Sequence, residues 1–75
     1  MKTFAERLEF VRLQRGCDQD DLAILVGFEI KPFEENSLLP TTRQALKIAN
    51  TLQCSLNWLM EGYKVEDGRL VAPSL

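Results

Sequence analysis

Histidine is absent from the 75 residues, and cysteine occurs only twice, at Cys17 and Cys54. The first absence removes the side chain that most often serves as general base or metal ligand near neutral pH. The second leaves too few thiols, too isolated in sequence, for a disulfide framework or a zinc site. Glycine is sparse: Gly16, Gly27, Gly62 and Gly68 stand singly, so no glycine-rich phosphate loop can be traced. No serine or cysteine is set next to a base that would activate it. The chain is not expected to be an enzyme, and no catalytic residue, metal ion or cofactor is assigned to it.

Long apolar runs are missing as well. No stretch approaches the roughly 20 residues that span a bilayer. The segment MKTFAERLEF carries charges where a secretory signal would be apolar. These features point to a cytoplasmic protein with reduced thiols and no membrane partner. What the chain does have is 45% apolar residues, enough for one small core near the lower size limit for folding without staples. Eleven acids against nine bases give a net charge of −2. That total argues mildly against nucleic acid, whose binders carry a basic patch. A dimer with one basic face escapes the objection, so the distribution of charge matters more than the sum.

Read along the chain, the punctuation is helical. Thr3 and Glu6 have capping-box spacing, and Phe4, Leu8 and Val11 share a face, so a first helix is predicted over 4–15 with Gly16 as its stop. Asp18 is the next cap, and Leu22, Ala23, Leu25 and Val26 supply the apolar face of a short second helix ended by Gly27. A third piece spans roughly 30–35, with Pro32 tolerated only in its first turn. Residues 36–40 are a loop. A fourth helix is predicted over 42–52, packing through Ala45, Leu46, Ile48, Ala49 and Leu52, and a fifth over 56–61 is capped by Ser55 and stopped by Gly62. The tail YKVEDGRLVAPSL changes period, and Asp67-Gly68 between Lys64-Val65-Glu66 and Arg69-Leu70-Val71 is a type I′ hairpin signal.

The order and spacing of these segments resemble the Cro/repressor-type, or XRE-like, helix-turn-helix family over about residues 5–62. Leu8, Val11-Arg12 and Gly16 are similar to the family's first-helix pattern, GCDQDDLAILVGF to its second helix and turn, and PTTRQALKIANTLQCSLNWLMEG to its closing segment. The resemblance implies an all-α fold of five short helices, lambda-repressor-like, here with a C-terminal β hairpin. Residues 1–62 are then the helix-turn-helix domain and 63–75 the hairpin tail. It implies an ion pair between Arg12 and Glu34, and core positions for Cys17 and Cys54. It also implies double-stranded operator DNA as the partner, in a bacterial or phage setting. Gln19 would contact a phosphate, Lys31 with Glu29 or Ile30 would face the major groove, and Asn36, Ser37 and Arg43 would hold the backbone. Residues such as Ile30, Phe28 and Phe33 are, however, more often core than groove contacts.

The chain departs from the family where DNA is read. Between Gly27 and Glu34 it is shorter by about one helical turn, and the residues lost are those that open the recognition helix, whose N-terminal end meets the base edges. From Asp18 to Asn36 there are six acids and one base, Lys31. Two functions are therefore weighed, the first favoured and the second its alternative. One is a homodimeric, sequence-specific DNA-binding regulator of transcription. The other is a protein-interaction module, an antirepressor or partner subunit, on the same scaffold. A redox or metal role through Cys17 and Cys54 is the weakest of the alternatives. The tail bears on assembly: Val65, Leu70, Val71 and Leu75 are apolar, and an open hairpin edge is a template for a two-fold mate. Folding back onto the first and fifth helices is the other use of the same residues.

Overall fold

The computed structural model describes residues 3–72. Within them the elements are α1 (Phe4–Gln14), α2 (Gln19–Val26), α3 (Lys31–Glu34), α4 (Thr42–Leu52), α5 (Leu56–Leu59), β1 (Lys64–Glu66) and β2 (Arg69–Val71). The fold is mostly helical, with an antiparallel hairpin rather than a purely helical ending.

The helix ends follow from local chemistry. Thr3 accepts the Glu6 N–H while Glu6 returns a bond to the Thr3 N–H, which closes the expected capping box on α1. A second capping box, Thr41 with Gln44, opens α4. Asp18 caps α2 by accepting the Asp21 N–H at 2.8 Å. That helix stops at Gly27, whose φ of +86° is costly for any residue with a Cβ. Helix α3 has four residues, Pro32 in its first turn and no side-chain cap. A single turn this short has no stability of its own and persists through what it packs against. That packing is Phe33, buried, with Ile30 just before it, only 1% exposed.

The core gathers Phe4, Leu8 and Val11 of α1, Leu22 and Val26 of α2, Ile30 and Phe33, then Ala45, Ile48, Ala49 and Leu52 of α4, Leu59 of α5, and Leu70 of β2. Helix α1 packs on α3 and α5, and α4 on α2 and α5. Two residues expected in this core lie outside it: Leu25 is 62% exposed and Leu46 45%. Helical spacing marks a stripe but not how wide an arc the neighbours cover. Arginines tie the ends of the chain together. Buried Arg7 donates to the Glu61 carbonyl at 2.7 Å, and Arg15 donates to the carbonyls of Leu52 and Gln53, the bare C-terminal end of α4.

The hairpin pairs Lys64 with Val71, Val65 with Leu70 and Glu66 with Arg69 around a turn in which Asp67 and Gly68 both have positive φ, as type I′ requires. It folds back, though mainly onto the start of α4. Leu70 donates to the Pro40 carbonyl, Thr42 donates to Gly68, and Thr41 bridges Arg69. The side chain of Leu70 enters the core at 4% exposure, which corrects its assignment to a dimer surface. Leu75, the last expected contact, lies outside the described residues. Strand β2 is therefore flanked on both sides, and β1 is the open edge, with Val65 47% exposed. The register directs the Val65 N–H and C=O outward, because Val65–Leu70 is the non-hydrogen-bonded pair of the ladder, as the outward bond from Leu70 to Pro40 shows for the other strand.

Candidate functional site

The segment from α2 to α3 is held by one carboxylate. Glu34, at the end of α3, accepts from Arg12 Nε at 2.6 Å and from Arg12 Nη2 at 3.0 Å, a two-pronged pair joining α1 to α3. Its Oε1 also accepts from Gln19 Nε2 at 2.9 Å, which brings in the first residue of α2. Arg12 spends its remaining prong on the Cys17 carbonyl at 2.9 Å. Both charged groups are nearly out of water, with side-chain exposures of 8% and 2%. The hydrogen bond to Glu34 raises the Arg12 pKa above its ordinary value, against the opposing effect of burial. Charge-assisted, forked bonds of this kind fix angle as well as distance. Three helices thus share one anchor, and the angle between α2 and α3 is set by it.

Around this anchor the sequence-derived candidates fall into two groups. Glu29 and Lys31 are exposed at the turn and the start of α3, and Asn36 and Ser37 are exposed just after it. Asn36 adopts a left-handed φ of +63°, and Ser37 bonds through both its amide and its hydroxyl to the Pro32 carbonyl. These bonds close the chain around the one-turn helix. Gln19 is half-buried and has one amide hydrogen committed to Glu34, which leaves its second N–H and its carbonyl for an external contact. Ile30 leaves the set altogether. It is buried in the core and presents nothing to a groove, because the shortened turn uses it as the plug that seats α3.

Arg43 is exposed in the first turn of α4. It lines a cleft with Leu46, Lys47, Asn50 and Thr51 on the outer face of that helix.

The acids of this region divide in the same way. Glu34 is neutralised by Arg12. The Asp18 carboxylate is engaged in capping α2, and Asp21 lines a cleft shared with the end of α4. Asp20, Glu29 and Glu35 remain exposed without an ion-pair partner among the described residues. Phe28 and Phe33 meet edge to face at 6.0 Å and form the apolar floor under the turn. The Gln19–Glu34 bond was not readable from the sequence. Fifteen positions separate the two residues, and only the tertiary fold brings the start of α2 to the end of α3.

No group of histidine, cysteine and acidic side chains suited to a metal ion occurs among the described residues. Both cysteines are free. No helix among the described residues is long and apolar enough to cross a membrane.

Against known families, residues 5–65 match the model described as a helix-turn-helix domain, of the Cro/repressor type. No characterised protein and no solved structure matches the chain.

Proposed function

Because the chain belongs to the Cro/repressor-type helix-turn-helix domain family, we propose that it binds double-stranded operator DNA as a homodimer and regulates transcription. The observation that carries this reading is the Arg12–Glu34–Gln19 network. It holds the start of α2 and the end of α3 in fixed relation with Lys31 exposed between them. A reading unit must be rigid in this way, since phosphate contacts set register and base contacts specify sequence. Gln19, Asn36, Ser37 and Arg43 are the backbone contacts of this reading, and Lys31 with Glu29 the groove contacts.

Support for the homodimer comes from the open β1 edge. A two-fold axis through Val65 sets its N–H and C=O against those of its mate and places Lys64 opposite the mate's Glu66, so that the edge is self-complementary in charge. The two heads of such a dimer would meet half-sites about one DNA turn apart, roughly 34–36 Å.

The test is fluorescence anisotropy against DNA flanking the protein's own gene, with a scrambled duplex as control, at two salt concentrations. Binding that prefers the cognate sequence is expected. Lys31→Ala should weaken binding and narrow its preference for the cognate sequence, whereas Arg43→Ala should weaken binding to both duplexes and make the salt slope shallower by about one unit. Equal affinity for both duplexes, or no change in slope, refutes the reading. The exposed acids Asp20, Glu29 and Glu35 favour a second reading, a protein-interaction module on the same scaffold. Absence of any DNA preference at low salt would select it.

A further inference from the structure

We propose that the cleft running along α2 and α4 is a docking groove for an acidic amphipathic helix of another protein. This inference does not rest on DNA binding. Three large aliphatic side chains stand out of the core on this side: Ile24 at 79% exposure, Leu25 and Leu46. Two of these, Leu25 and Leu46, have the helical spacing of core residues, yet the fold leaves them in water.

They line two adjoining concavities. One, of about 580 Å³, lies between Ile24 and Leu25 of α2 and the end of α4. The other, of about 340 Å³, runs past Leu46 on α4. Thr51 lines both, so the two adjoin along α4 and are taken together as one trough. Helix α4 has 11 residues and is therefore about 16 Å long. A partner helix of two to three turns matches that length, with apolar residues at i, i+3 or i+4, and i+7 as its anchors.

Charge selects the partner's chemistry. The trough is bordered by Arg15, Arg43 and Lys47 against a single acid, Asp21, although the chain as a whole carries −2. Cations are thus concentrated beside the exposed Ile24, Leu25 and Leu46, while the α2–α3 turn is acidic. A helix with a leucine stripe flanked by glutamates satisfies both features. A second copy of this trough does not, since facing it to itself would bring two basic borders together and leave few acids to balance them.

The probe is a synthetic helical peptide with leucines on one face and glutamates on its flanks, compared with the same peptide carrying lysines. Titration into the 15N-labelled full chain is read by amide shifts. The expected result is shifts centred on Ile24, Leu25, Leu46 and Thr51, with affinity at least tenfold higher for the glutamate peptide. Ile24→Ser with Leu25→Ser should abolish the shifts. Both positions are exposed, so the melting temperature should barely change. Lys47→Glu should narrow or reverse the preference while keeping the apolar contact, and it guards against any folding defect in the serine variant. Arg43 borders the trough and is also a backbone contact of the operator reading, so DNA binding by the serine variant is measured in parallel, and its retention shows that the apolar contacts of the trough act apart from operator binding. Equal affinity for the two peptides, or shifts elsewhere on the molecule, overturns the proposal. Concentration-dependent shifts at these residues without peptide also overturn it, by identifying a second copy as the occupant.

Discussion

Replacing Glu34 by alanine removes one carboxylate and strands three donors. Arg12 loses both prongs of its pair, and Gln19 loses the acceptor of its Nε2. The arginine cannot swing into water without leaving the gap between α1 and α3, where its side chain is 8% exposed. Breaking a buried pair by deleting one partner costs about 3–5 kcal/mol, because a charge is left desolvated. A chain of 75 residues has about 4–11 kcal/mol to lose in total. The variant should therefore be close to unfolded at room temperature, or melt at least about 12 °C lower.

Thermal and urea unfolding, followed by far-ultraviolet dichroism and by Trp58 fluorescence, measure this directly. Glu34→Gln, which keeps an acceptor but no charge, should fall between alanine and the native chain. The double replacement Arg12→Met with Glu34→Leu should recover most of the loss, since the apolar pair removes the stranded charge. A cost below about 1 kcal/mol for Glu34→Ala would put the pair in the class of surface salt bridges and refute the view that it anchors three helices.

Thr42 Oγ1 is buried with no hydrogen-bond partner among the described residues, so Thr42→Val should leave stability unchanged or raise it by up to about 1 kcal/mol, as read by urea midpoint. Burial raises the Cys54 thiol above its ordinary pKa, and burial followed by the charges of Asp21 and Asp18 raises Cys17. The folded chain then holds these protons more tightly than the unfolded one. The associated stability is fully present below the free-thiol value of about 8.5 and is lost as pH rises through the higher folded values. Urea midpoints should fall over that range and fall less in Cys17→Ser and Cys54→Ser, and both thiols should react with a disulfide reagent at pH 8 more slowly than a free cysteine peptide does. For the proposed dimer, Lys64→Glu and Glu66→Lys should each be monomeric in sedimentation, whereas an equal mixture of the two should form a heterodimer. A mixture that stays monomeric while the native chain dimerises would show that assembly uses another surface.

Much of this fold is written locally. The Thr3–Glu6 capping box, the Asp18 cap, the left-handed stop at Gly27 and the Asp67-Gly68 turn each depend on a few neighbouring residues and their backbone preferences. That is why these features could be placed from sequence spacing alone, and why a resemblance built on the same punctuation led to the family. Contacts between distant positions are of another kind. Nothing in a helical stripe says which of its edges a neighbour will cover, so Leu25 and Leu46 were expected inside and stand outside. Leu70, expected at a dimer surface, is drawn into the core because Pro40 and Thr42 hold β2 against the start of α4. Ile30 is sealed in as the plug of a one-turn α3, and Gln19 meets across fifteen positions the same Glu34 carboxylate that Arg12 of α1 holds. Composition, caps and turns therefore determined the elements and their order. The tertiary structure alone decided which side chains remain on the surface, because burial depends on the geometry of several elements at once.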